Sequence, residues 1–275
     1  VKRIASVSQI IVPFMAVIYF VFAVILICCN ITKVPAAFAT IVTAAFSPKA
    51  ITGGAVGSML IAMQKGVARG IFSNEAGLGS APIAAAAAQT NSPVRQGLVS
   101  MTGTFIDTII ICTLTGLSIV LTGAWQVEGL EGVQVTTYAF QHGLPFPAQF
   151  SSFILMLCLV FFAFTTILGW DYYSERCLEY LSGGNMKHVK IFRWIYILAV
   201  FIGPYMTVSA VWTIADIFNG LMAVPNMIAL FALNGVIVKE TRAFFQHAKE
   251  EALAEHRSFE EVCEENLNEE EAPAN

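Results

Sequence analysis

Charged residues are scarce in this sequence of 275 residues: they make up 12% of it, whereas 56% of the residues are hydrophobic. An average soluble domain carries about 25% charged residues, so this chain lacks the residues for a polar surface. The shortage excludes an intrinsically disordered protein, a nucleic-acid-binding domain and an ordinary soluble enzyme. A mean hydropathy of +0.69 instead predicts an all-α integral membrane protein that lies in a lipid bilayer.

The sequence also lacks the usual patterns of disulfide, metal and enzyme sites. Its six cysteines form no C-x-x-C pair, and four of them lie inside apolar runs, as buried membrane thiols do. The four histidines lie outside the apolar runs and show no metal-ligand spacing. The Gly77-Leu78-Gly79 segment follows no predicted strand, which argues against a dinucleotide-binding motif. No enzyme activity, no cofactor and no nucleic-acid partner are predicted.

The charges that are present divide the chain into two parts. Of the 19 acidic residues, 11 lie in residues 239–275, whereas residues 1–238 are apolar and slightly basic. We therefore expect a membrane domain over residues 1–238. Residues 239–275 are predicted to form an acidic cytoplasmic tail that starts as a charged amphipathic helix and ends in disorder.

Six apolar stretches approach the length of about 20 helical residues that a bilayer core of about 30 Å requires. The predicted spans are residues 10–29, 67–89, 96–121, 147–181, 189–206 and 212–238. Residues 33–64 are less apolar, and short re-entrant or extracellular helices are predicted there. A loop with a short helix is expected over residues 124–146, and Gly183-Gly184 is predicted to end the fourth span.

Lysine and arginine residues predict the orientation of these spans. With a cytoplasmic N-terminus, the inner loops collect eight of them and the outer loops two to four, as the positive-inside rule requires. The inner residues are Lys2, Arg3, Arg95, Lys187, Lys190, Arg193, Lys239 and Arg242. We therefore expect a multi-pass protein of the cell inner (plasma) membrane with both ends of the chain in the cytoplasm.

The second predicted span is interrupted. Residues 69–82 read Arg-Gly-Ile-Phe-Ser-Asn-Glu-Ala-Gly-Leu-Gly-Ser-Ala-Pro, in which Gly77 and Gly79 free the backbone and Pro82 suits the first turn of a new helix. The pattern predicts two half-helices that meet near the membrane midplane, where bared amides and carbonyls can bind a carboxylate or an alkali cation. A glycine hinge or a close-packing seam is the alternative. Alanine at both glycines is expected to favour a continuous helix and equal or greater stability.

Two adjacent hydroxyls, those of Thr165 and Thr166, lie in the apolar fourth span. With the Phe162 carbonyl one turn earlier, they could present uncharged oxygens to Na⁺, a hard cation. Alternatively, each hydroxyl bonds back to a carbonyl of its own helix. Trp170, one turn beyond Thr166, could wall a small apolar side chain or belong to an interfacial tryptophan belt.

Burying an ionisable group in the bilayer costs free energy, so such a group is first considered a candidate functional residue. Asp107 in the third span and Asp216 in the sixth are such groups, although each could instead be a hydrogen-bond partner between helices. Asp171, Glu175 and Arg176 approach the inner end of the fourth span, where an inner gate or an interfacial salt-bridge set is expected.

Three segments carry a family resemblance. Residues 66–82 read Gly-Val-Ala-Arg-Gly-Ile-Phe-Ser-Asn-Glu-Ala-Gly-Leu-Gly-Ser-Ala-Pro, residues 163–173 read Ala-Phe-Thr-Thr-Ile-Leu-Gly-Trp-Asp-Tyr-Tyr, and residues 215–226 read Ala-Asp-Ile-Phe-Asn-Gly-Leu-Met-Ala-Val-Pro-Asn. They resemble the sodium:alanine symporter family, the alanine/glycine:cation symporters of bacteria and archaea. The resemblance extends from residue 1 to about residue 242.

The resemblance implies a leucine-transporter-like fold of two inverted five-helix repeats, each with an unwound first helix. The chain would then be the C-terminal part of such a protein. Residues 10–29 would be the last helix of the first repeat, and the other five spans would form the second. The N-terminal repeat, with its glycine-rich first helix, would be a missing partner, and the chain indeed begins with Val1 instead of Met.

The resemblance also implies roles for individual residues. In the unwound stretch, which includes Gly77 and Gly79, Phe72 and Ala76 would contact the side chain of an amino acid. Ser73 and Asn74 would offer polar groups to its amino or carboxyl end.

On the fourth span, Phe162, Thr165 and Thr166 would bind Na⁺, and Trp170 would close the pocket over a small side chain. The implied function is a symporter that imports a small neutral amino acid, alanine or glycine, with Na⁺ as the coupling ion. The alternative is a truncated, non-transporting membrane protein that is an assembly partner or is inert.

Overall fold

The computed structural model describes residues 2–45, 55–75, 77–254 and 258–268, and the regular structure of these residues is helical. Short turns of 3₁₀-helix follow α1, α6 and α9, and the π-helical segment Ile106–Cys112 joins α5 to α6. The α-helices are α1 (Lys2–Cys29), α2 (Val34–Ala45), α3 (Ala55–Asn74), α4 (Ala81–Ala85), α5 (Pro93–Phe105), α6 (Thr113–Thr122), α7 (Val133–Gly143), α8 (Ala148–Leu181), α9 (Met186–Ile202), α10 (Val208–Ala254) and α11 (Phe259–Asn268).

Four helical stretches in the described residues are long and apolar enough to cross a membrane: Ile10–Cys29, Pro93–Thr122, Ala148–Leu181 and Val208–Ala254. They correspond to the first, third, fourth and sixth predicted spans. The fifth predicted span corresponds to α9, whose 17 residues rise about 26 Å, less than a bilayer core of about 30 Å. The predicted count of six spans is therefore not confirmed.

Two helices extend across predicted boundaries. Helix α3 begins at Ala55, so residues 55–64, expected in separate short helices, continue directly into the second span. Helix α10 runs without a break through Pro225 and past residue 238 to Ala254. The predicted border between membrane domain and tail therefore lies inside one helix. The part of the expected re-entrant region at residues 46–54 lies outside the described residues.

Glycines follow the ends of two helices, and the end of α8 is where the sequence predicts it. Gly183 and Gly184 follow α8 with φ angles of 63° and 85°, and Gly123 follows α6 with φ of 71°. These angles belong to the left-handed region, which glycine adopts without a steric penalty.

The chain divides into two compact units, which we call the first unit (Val1–Gly70 and Asp107–Asp216) and the second unit (Ile71–Ile106 and Ile217–Asn275). In the first unit, α1 packs on α6, α7 and α8, and α8 also packs on α9. One buried cluster lies at the centre of this packing. It consists of Ala23, Leu26, Phe140, Leu144 and Leu155.

Close contacts fix α1 against its neighbours in the first unit. The Tyr19 ring stacks on Phe140 with centroids 5.6 Å apart, and its hydroxyl lies 2.5 Å from Thr115 Oγ1. The side-chain amide of Asn30 donates to the carbonyls of Leu26 (2.9 Å) and Gly143 (3.0 Å). Helix α7 can end this close to α1 because residue 143 has no side chain.

In the second unit, the described tail residues form a helical hairpin. Ala248 and Ala252 on α10 pack against Val262 on α11, and all three are buried. Ser258 caps α11, since its hydroxyl accepts from the Glu261 amide while the Glu261 carboxylate accepts from the Ser258 amide. The tail thus begins as a charged helix, as predicted, but a second ordered helix follows.

Candidate functional site

The predicted interruption of the second span is present in the second unit. Helix α3 ends at Asn74, and the chain re-enters a helix only at Ala81. Between them, Glu75, Gly77 and Gly79 have φ angles of 52°, 78° and 81°. The Glu75 amide bonds to the Phe72 carbonyl at 3.4 Å, which is a turn and not a helical hydrogen bond. The last carbonyls of α3 therefore lose their helical partners.

The second half-helix is much shorter than the sequence predicts. Helix α4 has five residues, with Pro82 in its first turn, and residues 86–88 continue as turns. Pro82 stands where expected, because proline suits a helix start, where its missing amide is not needed.

The predicted substrate residues lie around this break, although one of them, Ala76, is outside the described residues. Phe72 and Asn74 are half-buried and Ser73 is exposed, all on the last turn of α3. Leu78 and Ser80 inside the break are buried, with 3% and 1% of their surface exposed. The break is thus a packed segment and not a loose loop.

Gly79 lies directly against α10. A Cβ atom at this residue would lie 3.2 Å from Asn226 Oδ1 and 3.3 Å from Asn226 Cβ, whereas one at Gly77 would have nothing within 4 Å. Both glycines have φ angles that cost other residues about 1–2 kcal/mol. The expectation that alanine at both positions preserves or raises stability is therefore wrong. The glycines are needed for a bent backbone that alanine would strain.

The predicted sodium ligands lie on α8, in the first unit. The Thr165 hydroxyl donates to the carbonyls of Phe161 (3.0 Å) and Phe162 (3.1 Å), so back-bonding to its own helix does occur. This bond uses the hydroxyl proton and leaves oxygen lone pairs for a cation. Thr165 and Thr166 are both half-buried, whereas the Phe162 side chain is exposed and only its carbonyl could be a ligand.

Trp170 lies one turn beyond Thr166 on the same helix and is half-buried. Its ring meets the Tyr173 ring edge-on, with centroids 5.8 Å apart, and its carbonyl accepts a hydrogen bond from the Ser174 hydroxyl. The α8 residues and the break belong to different compact units.

The structure brings Asp216 together with Arg69, a pair that the sequence analysis did not anticipate. Arg69 Nη1 lies 2.7 Å from Asp216 Oδ1, and Nη2 lies 3.2 Å from Oδ2. The guanidinium group also lies over the Trp212 ring, 3.7 Å from its centroid, and Lys65 Nζ is 3.5 Å from Asp216 Oδ2. Asp216 is therefore a partner between helices, the alternative that the sequence left open.

A signal for this pairing exists in the sequence. Lys65 and Arg69 are four residues apart, as are Trp212 and Asp216, so each pair occupies one face of a helix. A basic pair and an aromatic–acidic pair are complementary in charge. Spacing alone does not show that α3 and α10 meet.

The acidic and basic residues near the C-terminal end of α8 form two ion pairs. Glu175, which is buried, pairs with Arg193 on α9, and Arg176 pairs with Glu179 one turn along α8 at 2.6 Å. The first pair links two helices of the first unit. Asp107 lies in the π-helical segment between α5 and α6, a geometry that recurs at functional sites.

Comparisons with known proteins bear on the family of this chain. A profile of the sodium:alanine symporter family matches residues 1–258. The chain belongs to the sodium:alanine symporter family. It is 56% identical over 250 residues to an uncharacterized transporter of Haemophilus influenzae, which covers 90% of this chain and 54% of that protein.

Two further relatives have functional names. The sodium/alanine symporter AgcS of Methanococcus maripaludis is 46% identical over 255 residues, covering 92% of this chain and 54% of that protein. The "Probable sodium/glutamine symporter GlnT" of Bacillus subtilis is 37% identical over 249 residues, covering 90% and 51%.

The chain spans about half the length of the curated relatives it matches. The family match itself covers nearly the whole chain and gives no support to the expectation of a C-terminal part with a missing N-terminal repeat. That expectation stays a prediction. Family membership and the long apolar helices together indicate a multi-pass membrane protein.

Proposed function

We propose that this chain binds a small neutral amino acid, alanine or glycine, together with Na⁺, as part of a symporter that imports the amino acid with the ion. The observation that carries the proposal is the break between Asn74 and Ala81. A discontinuous membrane helix is tolerated where it lines a cavity, and its free amides and carbonyls suit a zwitterionic ligand. The name of the Methanococcus relative, a sodium/alanine symporter, supports the same assignment.

In this proposal the break provides the amino-acid site. Gly77 and Gly79 keep the backbone open, and Ser73 and Asn74 bond to the amino or carboxyl end of the ligand. Phe72 and Ala76 contact its side chain. The family resemblance assigns the preference for a small side chain to Trp170 on α8.

The proposed sodium site lies on α8. Its ligands are the Thr165 and Thr166 hydroxyl oxygens and the Phe162 carbonyl oxygen. Oxygen atoms without charge suit a monovalent cation that has to be released again. The back-bonding of Thr165 holds its oxygen in a constant orientation, because the side chain is tied to the carbonyls one turn earlier.

The proposed architecture is a leucine-transporter-like repeat that begins with the broken helix, in a protein with six spans and both chain ends in the cytoplasm. The long α8 and the break preceding α5 support it. The free energy of Na⁺ entry is sufficient to accumulate the amino acid tenfold. One Na⁺ that moves inward across 100 mV supplies about 2.3 kcal/mol, and tenfold accumulation of a neutral amino acid costs about 1.4 kcal/mol.

Uptake of labelled L-alanine into proteoliposomes tests the proposal. We expect uptake with an inward Na⁺ gradient, acceleration by an interior-negative potential, and background levels when choline replaces Na⁺. Equal uptake in choline would refute sodium coupling. No uptake under any gradient, from protein that is folded and inserted, would instead support the non-transporting alternative.

A further inference from the structure

Glu75 stands out in the break of the second unit. Among the described residues it is the only one other than glycine with a positive φ angle, 52°. Residues in such sparsely populated conformations persist where the surrounding structure holds them, and they cluster at ligand sites. Glycine would adopt the backbone conformation of residue 75 without strain. Glutamate is strained there, and what it adds is a carboxylate.

The carboxylate of Glu75 is held inside the break. Glu75 is half-buried, and the hydroxyl of Ser80, a residue that is 1% exposed, lies near its carboxyl group without a hydrogen-bond partner of its own among the described residues. Within the described part of the chain, no lysine, arginine or histidine lies at ion-pair distance from Glu75. By contrast, Asp216 and Glu175 each have an arginine partner in the first unit.

A carboxylate at membrane depth is costly unless a cationic group compensates it. The proposed ligand supplies one, because an α-amino acid carries an ammonium group on the carbon next to its carboxylate. The backbone groups of the break can hold the carboxylate end, but no backbone group carries the full negative charge that an ammonium prefers.

We propose that the Glu75 carboxylate, held in the packed break by the backbone turn at this residue, is the counter-charge for the ammonium group of the transported amino acid. This inference rests on the proposed function and deepens it. Glu75 then determines specificity for zwitterionic amino acids over carboxylates of the same size that lack an amino group. Lactate and propionate have the three-carbon skeleton and the carboxylate of alanine but lack its amino group.

Competition against labelled L-alanine in the proteoliposome assay tests this role, with unlabelled L-alanine, L-lactate and propionate as competitors. The unaltered protein is expected to bind alanine at least 100-fold more tightly than lactate. Glu75→Gln should weaken alanine binding tenfold or more and leave lactate binding unchanged or stronger. The Na⁺ concentration for half-maximal uptake should stay within twofold.

Two variants guard against a fold defect. Glu75→Gly removes the carboxylate and accepts the positive φ without strain, so it should unfold no earlier than the unaltered protein and still lose discrimination. Glu179→Gln is the matched control, because Glu179 pairs with Arg176 on α8; it should keep full discrimination.

The outcomes separate the two proposals. If the unaltered protein shows no sodium-dependent alanine uptake, the proposed function fails and this inference with it. If uptake is normal but Glu75→Gly still discriminates against lactate, only the role of the carboxylate is overturned. A large rise in the required Na⁺ or H⁺ concentration in Glu75→Gln would likewise overturn it, since the carboxylate would then bind the coupling ion.

Discussion

The guanidinium group of Arg69 on α3 and the carboxylate of Asp216 on α10 form a two-pronged ion pair, with N–O distances of 2.7 Å and 3.2 Å. The pair lies five residues before the end of α3, and Trp212 covers the guanidinium group from one side. The two charges thereby neutralise each other, and α3 is tied to α10 within the first unit.

Arg69→Lys should lower the thermal stability of the purified protein. Lysine keeps the charge but loses the second hydrogen bond and the stacking on Trp212. Because both side chains keep about 30% exposure, we expect a loss of about 1–2 kcal/mol. Lys65→Ala is the control and should cost less, since Lys65 is 62% exposed. An unchanged unfolding midpoint in Arg69→Lys would show that the pair contributes little.

Gly143→Ala should destabilise the first unit. A Cβ atom there would lie 2.7 Å from Leu26 Cγ and 2.9 Å from Thr122 Cγ2, so α7 and α1 would have to move apart. Overpacking of this kind costs about 1–3 kcal/mol. Gly116→Ala on α6 meets nothing within 4 Å and should be neutral or stabilising. Equal unfolding midpoints for the two variants would contradict the close approach.

Gly79→Ala should cost more stability than Gly77→Ala. Both positions have positive φ, which strains alanine by about 1–2 kcal/mol, but only the Gly79 methyl group would meet Asn226. Asn226→Ala should therefore recover part of the loss of Gly79→Ala and none of the loss of Gly77→Ala. Thermal unfolding of the four variants measures this difference, and equal behaviour of both glycines would exclude a role for Asn226.

Thr166→Val should raise the Na⁺ concentration for half-maximal alanine uptake several-fold with little change in expression. Valine keeps the shape of threonine and removes one oxygen ligand of the proposed site. Thr213→Val is the control, because the Thr213 hydroxyl bonds back to the Ser209 carbonyl of α10 and has no proposed role in sodium binding. The test is to measure alanine uptake as a function of Na⁺ concentration for both variants. An unaltered sodium dependence in Thr166→Val would show that the Thr166 hydroxyl is not a sodium ligand.

Single cysteines should report the predicted orientation in a variant without the six native cysteines. Leu130→Cys, between α6 and α7, should react with a membrane-impermeant maleimide in intact cells. Lys190→Cys on α9 should react only after the cells are opened, because the positive-inside rule places it in the cytoplasm. Labelling of residue 190 in intact cells would show that the predicted orientation is wrong.

The position and type of the long helices could be predicted from the sequence, because apolar runs of the right length have few alternatives in a membrane. Buried backbone groups must bond within the segment, so such runs become helices. The interruption at Gly77 and Gly79 and the end of α8 at Gly183-Gly184 followed from the same reasoning, since glycine adopts angles that other residues avoid.

The start of α3 at Ala55 and the continuity of α10 to Ala254 were not predictable from hydropathy, which reports solvent preference and not hydrogen bonding. The Arg69–Asp216 pair, the contact of Gly79 with Asn226 and the fit of Gly143 against Leu26 join residues far apart in the chain. Only the tertiary structure decides such contacts, because they depend on which helix faces meet. The sequence by itself determined the helices and their interruption, and packing decided which side chains hold them together.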